Sequence, residues 1–309
     1  MTRHFIIPEG RYYRGNLHGH STESDGANDV VEVAQLYRDA GYDFTCISDH
    51  YWTSSRFCAQ TVTRVPAQDS TDFVTITSAE LHCRGKQYDR LGLWHILANG
   101  LPQDFPMASE TESGPDLVRR AVEAGAFVTI AHPEWYHLTD AEACSLAQAG
   151  AHAVEIYNHS SAVESGRGGG TATVDLLHHL DYRVHIAATD DSHHIPGDAF
   201  GGWVMVRAEN LTAADLVAAL KAGDFYASCG PQFSCVTFEA GRIEINCSPV
   251  QRVILAGDND RSTFVQGDEL THASFDLRNV ELTFLRAIII DANGKQAWTQ
   301  AFWPEHAAE

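Results

Sequence analysis

Between residues 12 and 226 the sequence keeps one rhythm: a short apolar run rich in β-branched residues, then a stretch of helical periodicity, then another run. Residues 42–48 (YDFTCIS), 73–77 (FVTIT), 127–131 (FVTIA), 153–157 (AVEIY), 184–188 (VHIAA) and 203–207 (WVMVR) read as buried strands. Runs of this kind suit a parallel sheet covered on both faces. Residues 29–40, 114–124, 139–148, 171–180 and 212–221 read as the helices between them. Asn28 or Asp29, Thr139 and Thr212 are capping residues at their starts. Gly41, Gly125, Gly150 and Gly223 follow their ends, where a left-handed residue closes a helix. Strand–helix–strand repetition leaves a barrel or a doubly wound sheet, and the six or seven units favour the barrel.

After Gly230-Pro231 the texture changes. Residues 232–303 carry short alternating runs (SCVTFEA, RIEINC, RVILAG, SFDLR, LRAIIID, QAWTQAF) separated by turns such as residues 291–294. That pattern predicts a small antiparallel β domain. The expected organisation is an α/β barrel over residues 1–230 and a β domain over 231–309, in keeping with about two domains for 309 residues. Residues 165–170 (SGRGGG) read as a loop and a possible lid over a site.

Charge and cysteine usage narrow the function classes. The net charge is −20 and there is no basic run, so binding to a nucleic-acid polymer is not expected. A small nucleotide stays possible, because bound cations would reverse the local field. Seven cysteines are scattered without a C-x-x-C pair, which fits reduced thiols and a cytoplasmic location. No apolar run reaches about 18 residues, so no membrane span or signal segment is expected. The sequence leaves the oligomeric state open.

The 17 histidines are the loudest compositional feature, and their placement carries the chemistry. Asn16-Leu17-His18-Gly19-His20 follows the first run, with Asp25 in Ser24-Asp25-Gly26. Asp49-His50 follows the second, and Glu80 and His82 follow the third. His95 lies in LWHIL, His132-Pro133 follows FVTIA, Glu155 and Asn158 flank Ile156-Tyr157, and Asp190-Asp191-Ser192-His193-His194 follows VHIAA. The carboxyl ends of barrel strands converge on one face, so these residues are expected to form one cluster. Imidazole and carboxylate without cysteine suit manganese, zinc or iron(II). His18 and His20 reach one ion only if their strand ends there.

Each residue also has a plain reading. A lone buried histidine is usually a satisfied core residue, and an Asp in Ser-Asp-Gly is usually a turn residue. Recurrence at nearly every strand end favours the cluster. Trp52, Phe57 and Trp94 read as core or pocket wall, His178-His179 as solvent-facing or packed, and His137, His152 and His185 as structural. Arg56, Arg84, Lys86 and Arg167 are candidates for holding an anionic substrate, or plain surface charge. There is no G-x-S-x-G, no convincing Cys/His pair and no G-x-x-x-x-G-K-[ST] loop.

Taken in order, Asn16–His20, Ser24-Asp25-Gly26, Ile47-Ser48-Asp49-His50, Glu80, His95, Ala131-His132-Pro133 and Asp191-Ser192-His193 resemble the motifs of the PHP (polymerase and histidinol phosphatase) superfamily, over residues 12–230. LKAGDFY from Leu220, CGP from Cys229 and LRAIIIDANGKQAW from Leu285 are similar to two-domain proteins of the carbaryl-hydrolase type. The resemblance implies a distorted seven-stranded (β/α) barrel holding two or three divalent ions. It implies His18, His20, Glu80 and Asp191 at a first ion, Glu80, His95 and His132 at a second, and Asp25, His50 and His193 at a third. Asp25 stands where some members have histidine. His82 competes with His95, and the D-x-H spacing selects Asp191 over Asp190 and His193 over His194.

Two such ions, roughly 3.5–4 Å apart, can share a hydroxide that attacks phosphorus or a carbonyl carbon. The leading expectation is a phosphoesterase acting on small phosphate esters. The alternative is a carboxylester or carbamate hydrolase of the carbaryl-hydrolase type, and a metal-bound module without turnover is the third reading. His194 or His159 is the candidate proton donor to the leaving group, and Arg167 and Arg56 are the candidate substrate ligands.

Overall fold

The protein is described here from a computed structural model covering residues 3–53, 57–63, 72–258, 262–278 and 283–303. The first part of the chain carries β1 (Arg3–Ile6), β2 (Tyr12–Asn16), α1 (Val30–Asp39), β3 (Phe44–Ile47), β4 (His50–Tyr51), β5 (Val74–Arg84) and β6 (Leu93–Asn99). Next come α2 (Gly114–Glu123), β7 (Phe127–Ile130), α3 (Asp140–Gln148), β8 (Ala153–Asn158), α4 (His159–Ser165), α5 (Thr171–His179) and β9 (His185–Thr189). β10 (Trp203–Arg207), α6 (Ala213–Ala222) and β11 (Phe225–Ser228) complete the helical part.

The helix starts have local causes. Asp29 accepts the Glu32 N–H at the head of α1, and Thr212 accepts that of Asp215 at α6. Thr139 and Glu142 cap α3 reciprocally. Gly41, Gly125, Gly150 and Gly223 all have positive φ at the ends of their helices, the conformation a closing glycine supplies. α4 was not foreseen; the Asn158 side chain accepts the Ser161 N–H to start it, and Gly166 ends it at φ 70°.

β2, β3 and β5 pair in parallel, as do β7, β8 and β9. The sheet between them is not parallel, which corrects the expectation. β5 and β6 form an antiparallel hairpin, and β6 pairs antiparallel with β7. Residues 85–92 are too few for a crossover helix, so the chain must turn straight back. The ladder ends at β9, but segments just past β2 and β9 meet: the Asp191 N–H donates to the His18 carbonyl and the His20 N–H to that of Ser192, both at 2.9 Å.

β12 (Phe233–Glu239), β13 (Arg242–Gly257), β14 (Thr263–Asp276), β15 (Leu285–Ile290) and β16 (Gln296–Trp298) are antiparallel, and β1 joins them at β12. Ile243, Ile245, Val253, Leu255 and Ile289 form the centre of their own apolar core. β16 also pairs with β11, so the sheet is continuous through both parts. Among the described residues no helix is long and apolar enough to cross a membrane.

Candidate metal centre

β2 stops at Asn16, and the Asn16 side chain turns the chain by donating to the His18 carbonyl and to the Tyr37 hydroxyl, at 2.6 and 2.9 Å. With the strand ended, His18 and His20 no longer alternate across a pleat, and both reach one centre. His18 donates Nδ1–H to Glu155 Oε1 at 2.8 Å, which places its Nε2 3.1 Å from Asp191 Oδ1 and 3.7 Å from Glu80 Oε2. Glu155, at the middle of β8, is itself held by Thr189 Oγ1, the His132 N–H and Asn158 Nδ2 at 2.7, 2.7 and 2.9 Å. This carboxylate–histidine pairing fixes a tautomer suited to ligation.

Glu80 lies at the middle of the cluster. Its Oε1 is 2.8 Å from His95 Nδ1 and 3.1 Å from His132 Nε2. Its Oε2 is 2.5 Å from His50 Nδ1 and 3.8 Å from His20 Nε2. Asp191 Oδ1 is 3.0 Å from His20 Nε2. Asp191 and His132 have φ of 58° and 22°, left-handed conformations that cost energy in residues with a side chain and concentrate at functional sites. Further out, Asp25 Oδ1 lies 3.4 Å from His50 Nε2 and 3.5 Å from His193 Nε2, and this part is open to solvent.

Electrostatics follow from this crowding. Burial opposes charge on His18, yet the Asp191 and Glu155 carboxylates hold its pKa well above the usual range. His20 is pushed down to about 4 by burial and by His193 and His50. Glu80 stays well below the usual carboxylate range despite burial, because His50, His95 and His82 surround it. Burial likewise opposes ionisation of Asp25, but its bond to His50 brings it to about 2.

The residues present fit divalent cations. His18 Nε2 and Glu80 Oε2 are buried and make no hydrogen bond, although His18 Nε2 lies 3.1 Å from Asp191 Oδ1 and Glu80 Oε2 lies 2.5 Å from His50 Nδ1. Orphaned buried lone pairs are costly unless something else binds them. Ligating atoms of His18, His132 and Asp191 lie within 4.8 Å of one another, as do those of Glu80, His95 and His132, and of His20, Asp25, His50 and His193.

The structure separates several sequence alternatives. Asp190 accepts the N–H groups of Phe200, Gly201 and Gly202 and the Tyr37 hydroxyl, so it shapes the loop rather than the cluster. Its burial raises it to about 6. His82 and His95 face each other across the β5–β6 hairpin, and both join the cluster. His82 donates Nδ1–H to the Trp94 carbonyl at 2.8 Å, leaving Nε2 2.8 Å from His50 Nδ1. Glu155 and the hairpin lock on His82 depend on tautomer geometry, which a linear sequence does not display.

The cluster floors a cavity of about 710 Å³. His193 faces it, and His194 lies at its edge with a largely exposed side chain. Arg167 lines it, whereas Arg56 falls outside the described residues. His159 corrects the expectation: it does not line the cavity but bonds the Tyr157 hydroxyl at 3.0 Å and packs against Gly201. At the start of α4 it is Ser160 and Ser161 that turn toward the opening. Trp52 and Trp94 are buried and Phe57 borders the cavity, while His178 is packed and donates to the Val184 carbonyl at 2.9 Å.

No family model and no curated protein matches the sequence. Among solved structures, a two-domain protein from Bacteroides vulgatus containing a predicted PHP-like metal-dependent phosphoesterase superposes with a TM-score of 0.52. The identity is 15%, and 96% of each chain is covered. An amidohydrolase from Chromobacterium violaceum with bound sulfate and no metal superposes at 0.43, with 14% identity over 60% of this chain and 89% of that one. Across nearly its whole length, this chain shares the fold of a two-domain, PHP-like protein.

Proposed function

We propose that the protein is a metal-dependent hydrolase and that its substrate is a small phosphate ester. The observation that carries this reading is Glu80, a buried carboxylate within 3.8 Å of six histidines, with one oxygen lacking any hydrogen bond. His18, His20, Glu80 and Asp191 would hold one ion, Glu80, His95 and His132 a second, and Asp25, His50 and His193 a third. Manganese, zinc or iron ions there would acidify a water and neutralise charge growing on the reacting oxygens.

The chain's own groups do the rest. Glu155 keeps the His18 proton on Nδ1, and the Asp191 carbonyl, 2.8 Å from His193 Nδ1, does the same for His193. The strained backbone at His132 and Asp191 aims both side chains inward. Arg167 offers the cavity a guanidinium whose planar fork matches phosphate oxygens. His194, at the cavity edge, is the group we assign to protonate the leaving oxygen.

We read residues 1–230 as a distorted (β/α)7 barrel and 231–309 as a small antiparallel β domain that follows it. The seven free thiols fit a reducing compartment, the cytoplasm. The apolar side chains bordering the cavity favour a second reading, carboxylester or carbamate hydrolysis of the carbaryl-hydrolase type at the same residues. Hydrolysis of p-nitrophenyl phosphate and 1-naphthyl acetate by the metal-loaded protein separates the two. Phosphate turnover supports the first; ester turnover alone replaces it with the second.

A further inference from the structure

The cavity has two unlike ends. Its floor is the histidine–carboxylate cluster, and beyond the floor exposed apolar side chains line it alongside Asp89, Arg90, Glu164 and Arg167. Of the eight large apolar side chains that stand exposed among the described residues, four border this one cavity: Phe57, Tyr88, Leu91 and Trp135. Leu91 and Tyr88 are 64% and 67% exposed, a cost in contact with water that a clustered patch incurs only where something covers it.

These side chains stand on a built ledge. Tyr88 and Leu91 sit in the turn of the β5–β6 hairpin, which Asp89, the Gln87 N–H and Lys86 hold in place, and the Arg90 side chain between them also lines the cavity. Asp89 Oδ2 accepts the N–H groups of Leu91 and Leu93 at 2.8 and 2.9 Å. The Gln87 N–H donates to Glu142 Oε1 at 3.0 Å, and buried Lys86 pairs with Glu142 Oε2 at 3.0 Å, tying the turn to the head of α3. Tyr88 has φ 67°, so its conformation is imposed by this framework. Trp135 continues the apolar surface down to the floor. Its ring meets those of His132 and His95 at centroid distances of 5.2 and 5.6 Å and stays 39% exposed.

We infer that the cavity takes an amphiphilic ester, with its scissile group at the cluster and an aromatic or extended apolar group lying along Trp135, Leu91 and Tyr88. This rests on the hydrolase reading and names the substrate class for that site. An ester whose remote part is a sugar or glycerol would leave the ledge in water, whereas an aryl or long alkyl group covers it. Covering one such side chain is worth roughly a tenfold change in affinity.

The test compares 1-naphthyl phosphate, glycerol phosphate and 1-naphthyl acetate as substrates of the metal-loaded protein and of its Tyr88→Ser/Leu91→Ser variant. Binding of 1-naphthylmethylphosphonic acid, in which a C–P bond replaces the scissile ester linkage so that it is not hydrolysed, is measured in parallel by calorimetry. The expected result is a preference for naphthyl over glyceryl phosphate that the variant loses. Its KM for the naphthyl ester should rise about 100-fold, roughly tenfold for each side chain removed, with kcat within twofold and the glyceryl ester unaffected. Equal handling of both esters by both proteins overturns the ledge and leaves the hydrolase intact. If no ester turns over, the hydrolase reading fails, and the phosphonate decides the ledge. Binding weakened in the variant supports the ledge; no binding, or binding equal in both proteins, overturns it. A change of particle mass in the variant with unchanged naphthyl KM makes the rim an interface between copies and also overturns the inference.

Discussion

In the C-terminal strands the fully buried positions include Ile243, Ile245, Val253 and Ile289. At the cavity floor the equally buried positions are His18, His20, Glu80 and Glu155. Apolar burial contributes about 25 cal/mol per Å², so the strands explain their own stability. A buried group of ionisable side chains does the reverse, since removing charge from water costs several kcal/mol per ion and well-packed apolar residues often serve stability better. The floor is therefore not accounted for by folding. Its orphaned lone pairs mark a place where the protein gives up stability to hold something else.

The comparison is broken most severely by emptying the floor. In His18→Ala/His20→Ala, hydrolysis should fall by more than about 100-fold, the upper scale for losing even an outer partner of a metal ligand. Far-ultraviolet circular dichroism should keep its folded signature. Undiminished turnover would remove these residues from the site. The converse change is made among the C-terminal strands. Ile289→Ala should cost about 3 kcal/mol in urea unfolding through a lost side chain and a cavity. Its metal content should not change. A loss of metal in that variant would show that the two parts are one energetic unit.

Much of this contrast was legible before the fold. Ligand types at strand ends, glycines closing helices and capping residues are local signals, and the structure brings His18, His20, Glu80, His132 and Asp191 to one face. The β5–β6 hairpin was not legible, because a short buried run looks alike in parallel and antiparallel pairing. That missed turn also hid the ledge and made His82 and His95 look like rivals, although they are cross-strand neighbours. Asp190 and Asp191 differ only in which way the backbone turns between them, and φ at Asp191 is a tertiary outcome. His159 looked suitable by residue type; the start of α4 carries it away from the opening.

A finer test concerns the support beneath the floor. Glu155→Gln keeps the shape but removes the charge that holds the His18 proton on Nδ1. Metal affinity should fall by about 10- to 100-fold, with global stability little changed. Unchanged affinity would make Glu155 a packing residue.

The smallest effect comes from a buried histidine outside the floor. His178 is brought down to about 4 chiefly by burial, against 6.5 for the free side chain. The unfolded chain takes up that proton first as pH falls. This contribution is full above pH 6.5 and is lost as the pH falls through about 4. Between pH 7 and pH 5 the loss is about 2 kcal/mol. His178→Gln should flatten the acid side of the stability curve by that amount, and an unchanged slope would assign the loss to other groups.

The most direct measurement is elemental analysis of the purified protein after reconstitution with manganese, zinc or iron(II), alongside His18→Ala/His20→Ala. The account predicts two or three ions per chain in the wild type and loss of ions in the variant. A wild-type protein that binds no ion under any of these conditions would contradict it.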